Sequence, residues 1–512
     1  MDKEKLNKIK DKLDSFYGIS KNGSSFKVEI IAGIATFLAM AYILIVNPSN
    51  ILFASGVNDP RWSSLFIATA FGAVIGTLLM SLLAKMPLAQ APGLGLNSAI
   101  GGLIGGGMGV LSGGVMPLPT ALLLVFFSGI IFLILSVVPC GKDETGKPVS
   151  LREKIFDGVP QPIRIAIPVG IGLFIAFIGL QNAKVIVDDP YTKVALVNFG
   201  DWALYKNGGP ASQALVCLFG LLVIGILSHF KIKGAVIFGI LAATLLGLPL
   251  GVTDFNTLLG KTEGVTWKFW KNFANYFCME SDKGGIFFTL FTEGFAGFDK
   301  EIITTCVVTI ISFCMIDMFD TMGTVVGCTT NAGLIDESGK PLNYDKIMYS
   351  DSFATCIGAV CGTSTVTTFV ESGVGVAAGG KTGFTSLTTA LLFFLSIFIL
   401  PVFAFIPSAA AAPALIYVGV LMMSSVVDID FTEIKFAVPA FLTILMMPLT
   451  YSITTGIGIG VVSYVLISCI LYVSELVSYK LSKDENKQKP KFDLSIIMVV
   501  VFALFLVYFL TK

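Results

Sequence analysis

The chain has 512 residues, 54% of them apolar and 13% charged, about half the charge expected of a soluble globular domain. That balance and a mean hydropathy of +0.84 disfavour a water-soluble fold and suit a bundle of membrane helices. Thirty-four Lys and Arg offset 34 Asp and Glu, so nothing in the charge asks for a nucleic acid or other polyanion as partner.

In the first 29 residues Lys3, Lys5, Lys8, Lys10 and Lys12 are interleaved with Asp2, Glu4, Asp11 and Asp14, which reads as a solvated amphipathic tail. No short apolar run with a cleavage site replaces it, so Ile30 is expected to open a retained span rather than a signal peptide. Apolar runs then fall near 30–50, 63–84, 86–104, 117–138, 163–181, 211–230, 234–252, 302–329, 349–360, 362–380, 383–405, 409–425, 434–450 and 453–477. The expectation is an all-α polytopic membrane protein of about fourteen segments, with a first repeat over 30–252, a connector over 253–301, a second repeat over 302–477 and a basic tail over 478–512. The 478–512 stretch is a basic tail plus an extra apolar segment: the run Leu494 to Leu510 lies beyond the tail lysines and is only just long enough to cross.

Positive charge stays cytoplasmic in short loops. Lys142, Lys147, Arg152, Lys154, Arg164, Lys231, Lys233 and the tail lysines 480, 483, 487, 489 and 491 share one side with the N-terminal tail if fourteen segments cross. The N-terminus is therefore expected in the cytoplasm and the connector, with Trp267 and Trp270 as interface anchors, outside. The nine Cys form no CxxC pair and His229 is the single His, so neither a zinc site nor a disulfide framework is expected.

The third member of each half is interrupted: Pro87 to Asn97 in the first, Gly362 to Glu371 in the second. An odd repeat length inverts the second copy, and matched broken segments point to a transporter's midplane site, because unwound backbone survives in a membrane only where protein or a wet cavity satisfies it. Thr363 to Val370 reads as a strand and Ser372-Gly373 as the start of a half-helix; Pro92 and Gly93 do the same in the first copy. Free N–H groups at such a helix start attract negative charge.

Three acids stand alone in these apolar stretches: Asp317, Asp320 and Glu371. Each costs at least about 2.5–3.5 kcal/mol at the centre of a spanning helix, which makes it a functional candidate. Asp317, Asp320, Thr321 and Thr324 share one helix face. Two such close, dry carboxylates resist being ionised together, which gives a protonatable site. Glu371, beside the N–H groups of Ser372 and Gly373, suits a ligand's N–H donors, and Asn97 offers the donor and acceptor that read a base edge. Phe319, Phe369 and Tyr42 are candidates for flat walls, although with 42 Phe in the chain core packing is the stronger reading of each. The inventory fits a small, planar, neutral solute rich in hydrogen bonds.

These blocks also resemble a known family. Glu29 to Gly33, Thr36 to Tyr42 and Asn47-Pro48, then Ala91 to Asn97, Asp317 to Thr324, Gly362 to Gly375, and Val438 to Thr450 are similar to the AzgA-like purine permeases of the nucleobase/ascorbate transporter superfamily. The resemblance spans roughly 28–477; Ser98, where Ala is expected, and the 494–510 run depart from it. It implies a seven-plus-seven inverted repeat with strands in segments three and ten, divided into core and gate domains. It also implies proton-coupled uptake of hypoxanthine, guanine or adenine by alternating access, driven by the proton motive force without a cofactor. Asp320 and Glu371 correspond by position to the membrane acids of segments eight and ten in related uracil/proton symporters. Asp317 and Asn97 match further polar positions.

A purine importer of the cytoplasmic membrane is therefore the expected function, with Glu371, Asp320, Asn97, Thr324, Phe319, Phe369, Ser372 and Gly373 around the base and Asp320 and Asp317 handling the proton. The alternatives are a uracil/xanthine-type symporter and an anion exchanger of the same architecture. An intramembrane aspartyl protease is disfavoured because its acids would come from two facing helices, whereas Asp317 and Asp320 share one. Sequence decides neither the preferred purine, nor sodium in place of the proton, nor a homodimer through the gate spans.

Overall fold

The computed structural model describes residues 3–52, 59–105, 116–142, 148–232, 234–262, 265–281, 284–297, 303–336, 340–481 and 494–511. Lys147, Lys233, Lys483, Lys487, Lys489 and Lys491, used above to orient the chain, lie outside them, as do 298–301 at the end of the connector and Ile302, where the second repeat was expected to open.

Among the described residues, nine helices are long and apolar enough to cross a membrane, and four shorter apolar helices accompany them. The first long stretch, Phe26–Leu52, is interrupted: helix α1 (Phe26–Met40), capped by the Ser25 side chain on the Val28 N–H, gives way to a turn at Ala41 and Tyr42 before Ile43–Leu52. Helix α2 (Trp62–Leu79) then leads to strand β1 (Gln90–Pro92) and helix α3 (Leu94–Gly105). Helices α4 (Leu118–Val137), α5 (Gln161–Asn182), α6 (Pro210–His229) and α7 (Ala235–Gly247) complete the first half. Prolines stand at the starts of α4, α5 and α6, where a missing N–H costs nothing.

The second half opens with α8 (Ile303–Ala332) and α9 (Tyr344–Cys361), followed by strand β2 (Val366–Thr368) and the short helix α10 (Ser372–Ala377). Then come α11 (Gly383–Ser396), α12 (Ser408–Met423), α13 (Ile434–Leu449), α14 (Ile453–Leu481) and the terminal α15 (Ile496–Thr511). The run expected as a segment over 349–360 is thus part of an 18-residue helix that begins at Tyr344. The strand expected from Thr363 to Val370 is shorter, three residues, and the half-helix after it has only six.

The helices pack in two groups. In one, α2, α8 and α9 pack against the two strands and α1, α4 and α11 pack on these helices or on one another; in the other, α5, α6, α7, α12, α13 and α14 pack on one another, with α5 against α12 and α13. Small residues let the second group close: a Cβ at Gly172 of α5 would stand 2.7 Å from Met422 Cβ, and one at Gly419 of α12 would stand 2.6 Å from the Gly172 carbonyl oxygen.

Strands β1 and β2 come from opposite halves and pair antiparallel, Gln90 with Thr368, Ala91 with Thr367 and Pro92 with Val366. Hydrogen bonds from Gly93 N to Thr365 O (2.9 Å) and from Phe369 N to Ala89 O (3.0 Å) extend the ladder. Every residue of both strands is buried, which satisfies the rule that non-helical backbone at membrane depth must be enclosed by protein. Glycines make the enclosure fit. Val366 lies where a Cβ at Gly76 of α2 would be 2.6 Å away and one at Gly358 of α9 2.5 Å away.

Candidate functional site

A cavity with about 380 Å³ of empty space, its open mouth included, lies where the strand pair meets the second helix group. Gly93, Leu94 and Gly95 after β1 form one wall, Thr368, Phe369, Val370 and Glu371 after β2 another, and Asp320 and Thr324 of α8 a third. Ile171 and Ile175 of α5 and Val418 and Met422 of α12 close it from the opposite group. Two carboxylates face a largely apolar enclosure, and among the described residues no Lys, Arg or His lines it. Apolar walls with a few placed polar groups are the usual make-up of a small-molecule site.

Glu371 is held from behind. Tyr42, at the break in the first long helix stretch, donates its hydroxyl to Glu371 Oε1 at 2.5 Å, and both side chains are buried. The N–H groups expected to serve Glu371 and a ligand are otherwise engaged: Ser372 N donates to Phe369 O (3.1 Å) and Gly373 N to Val370 O (3.0 Å). The Ser372 hydroxyl accepts from Ala89 N at 2.9 Å, tying α10 to the chain before β1. Neither Ser372 nor Gly373 reaches the cavity wall.

The polar face of α8 divides. Asp320 and Thr324, one turn apart, line the cavity, whereas Asp317 and Thr321 turn towards α9 and β2. Asp317 accepts from Thr355 Oγ1 of α9 at 2.8 Å. Phe319 is directed elsewhere on the helix and packs on Phe156, ring centroids 5.6 Å apart. Asn97 is fully buried and spends its amide inside the protein: its Oδ1 accepts from Ser364 Oγ and its Nδ2 donates to Pro92 O at 3.4 Å. Of the predicted residues the fold therefore gathers Glu371, Asp320, Thr324 and Phe369 at the cavity, and sets Asp317, Asn97, Ser372, Gly373 and Phe319 behind it.

One acid escaped the sequence reading. Asp351 of α9 is fully buried and accepts from Gln90 Nε2 (2.7 Å) and Thr368 Oγ1 (3.3 Å) on Oδ1 and from Thr321 Oγ1 (2.6 Å) on Oδ2. The available signal was its place inside the apolar run expected over 349–360, where it is a lone acid two turns into the helix that starts at Tyr344.

Spanning helices that enclose a cavity at the crossing of two broken segments, with carboxylates on its wall, define a membrane transport protein rather than an enzyme. The chain belongs to the Permease family, whose profile (Xan_ur_permease) matches residues 27–459. It is 35% identical over 466 residues to the guanine/hypoxanthine permease PbuG of Bacillus subtilis (strain 168), covering 88% of this chain and 93% of that protein. To the adenine permease AdeP of Escherichia coli (strain K12) it is 34% identical over 452 residues, covering 88% and 89%. Its fold is also that of the transmembrane domain of a cyanobacterium bicarbonate transporter, BicA, with a TM-score of 0.55 at 14% identity over 85% of this chain and 97% of the other.

Proposed function

We propose that the protein imports purine nucleobases, hypoxanthine, guanine or adenine, together with protons across the cytoplasmic membrane. The observation that carries this reading is the charge of the cavity: among the described residues its wall holds Asp320 and Glu371 and no cationic side chain. Carboxylates accept hydrogen bonds and repel anions, so the site suits a neutral ring bearing N–H donors and speaks against an anion exchanger. The purine permeases among the relatives support the same substrate class.

In this reading Glu371, held by Tyr42, accepts from N–H groups of the base, Phe369 offers a ring face, and Asp320 takes the proton or a second base contact. Thr324 supplies a hydroxyl. Asn97, Ser372 and Gly373 position the two strand ends instead of touching the ligand, and Phe319 packs. The two halves act as a seven-plus-seven inverted repeat with a cytoplasmic N-terminus, and the α5–α12 group serves as the gate that rocks against the strand-bearing core.

The test is uptake of labelled hypoxanthine by the reconstituted protein. An inward proton gradient should drive accumulation, and unlabelled adenine or guanine should compete better than xanthine or uracil. Uptake indifferent to the gradient would remove the proton, and competition by uracil and xanthine in preference to the purines above would replace the substrate.

A further inference from the structure

Beyond the cavity, a line of side-chain hydrogen bonds crosses from one helix group to the other. Helix α5 runs past the cavity with Ile171 and Ile175 and ends at Asn182, about 10 Å further along its axis. There Asn182 Nδ2 donates to Asn50 Oδ1 at 3.3 Å, and Asn50 Nδ2 donates to Ser98 Oγ at 3.3 Å. Asn50 belongs to the stretch Ile43–Leu52, and Ser98 to α3, one turn past the cavity residue Leu94. Asn50 and Ser98 are buried and Asn182 is half-buried.

Counting hydrogens fixes how the two amides are turned. The Ser98 hydroxyl spends its one hydrogen on Leu94 O at 3.2 Å, so towards Asn50 it can only accept. Asn50 must then turn its NH2 to Ser98, which leaves its carbonyl oxygen facing the other group, and Asn182 must donate. Ser98 is the residue that departs from the pattern of the resembled family, and Ala in its place would free the Asn50 amide to turn. Packing puts the Asn182 end on the mobile side. Ile43–Leu52 packs on α2 and α3 and, across the boundary, on α12. Asn182 rides with α12, because α5 closes onto it at Gly179, where a Cβ would stand 3.0 Å from Leu415 Cβ and 3.1 Å from Ala412 O. Rocking α5 and α12 away from the strands would therefore part Asn182 from Asn50 and bare a buried carbonyl oxygen that entering water would have to serve.

We propose that Asn182, Asn50 and Ser98 form a latch that holds the outer side of the cavity shut, and that the Asn182–Asn50 bond breaks when the site opens outward. The latch lies at the end of α5 remote from Arg164, the end that the charge bias places outside. One neutral hydrogen bond shifts such an equilibrium by roughly threefold to tenfold. That is enough to set the resting face of the protein without locking it, as a repeated transport cycle requires.

This inference rests on the orientation and alternating access of the reading above, and its test needs no purine. A thiol placed at the cavity by Leu94→Cys is labelled in intact cells with a membrane-impermeant maleimide and followed on its own peptide by mass spectrometry. Adding Asn182→Ala should speed that labelling roughly threefold to tenfold, and adding Ser98→Ala should speed it less. Native Cys217, fully buried in α6, reports unfolding and should keep its rate. Labelling at position 94 that is unchanged by Asn182→Ala, or that rises by the same factor as at Cys217, overturns the latch. No change with Ser98→Ala overturns the direction assigned to the amides. A wild type that takes up no purine yet gives the full labelling contrast would fault the importer reading and leave the latch standing.

Discussion

The Tyr42–Glu371 contact links residues 329 positions apart and fixes the acid that faces the cavity. Hydrogen bonds to a charged group contribute about 1.5–3 kcal/mol. Tyr42→Phe should therefore weaken hypoxanthine binding by on the order of tenfold to a hundredfold, measured as the equilibrium dissociation constant of purified protein; an unchanged constant would mean that Tyr42 does not position Glu371. At this scale the sequence was partly legible. Asp317, Asp320 and Glu371 stand out because no other charge interrupts their apolar surroundings. The partners that give each acid its setting come from distant segments, so spacing along α8 could group Asp317 with Asp320 but not reveal that the first turns to Thr355 and the second to the cavity. Asn97 looked like a base reader because its chemistry allows it, and Ser364, which occupies its carbonyl oxygen, is 267 residues away.

At the scale of elements, the site depends on how closely helices approach the strand pair. Val366 sits against Gly76 and Gly358 with no room for a Cβ at either. Gly358→Val should shift β2, at a cost of about 1–3 kcal/mol for overpacking, and lower hypoxanthine affinity although residue 358 does not line the cavity. Normal affinity with a lowered melting temperature would mean that the strand keeps its place. Elsewhere a single acid joins two elements. Glu29 of α1 is fully buried and accepts from the N–H groups of Lys381, Thr382 and Thr385 at 3.1, 3.3 and 3.2 Å and from the Thr385 hydroxyl at 2.6 Å. It thereby caps α11 from another helix. Glu29→Ala leaves those donors bare, at about 1–3 kcal/mol each, so its melting temperature in detergent should fall well below that of the wild type; an equal one would assign the cap to Thr382 alone, whose hydroxyl accepts from Phe384 N at 3.3 Å. The broken segments could be found from Pro, Gly and Thr in runs too irregular for an ordinary helix. Their antiparallel pairing was not readable, because register depends on contacts between the halves.

For the whole molecule, the cavity lies between two helix groups, with Ile171, Ile175, Val418 and Met422 on one side and the strand ends and α8 on the other. Access can alternate only if the groups move relative to each other. Helix α15 packs on α8 of one group and α14 of the other, with Phe505 and Phe509 over Gly458. Removing residues 494–512 should lower thermal stability while leaving hypoxanthine affinity within about twofold, since none of the described residues that line the cavity belongs to α15. A large loss of affinity would make the last helix part of the transport cycle. Helix content and approximate spans were legible from hydropathy alone, but the partition into groups was not, because every spanning helix presents a similarly apolar surface to lipid and to its neighbours. In the proposed function the carboxylates beside the paired ends of β1 and β2 hold the base. Calorimetric titration of purified wild type, Glu371→Gln and Asp320→Asn with hypoxanthine decides whether they do. Wild type should bind one equivalent, Glu371→Gln should show no measurable binding and Asp320→Asn weakened binding, all at comparable melting temperatures; wild-type affinity in Glu371→Gln would mean that Glu371 does not hold the base.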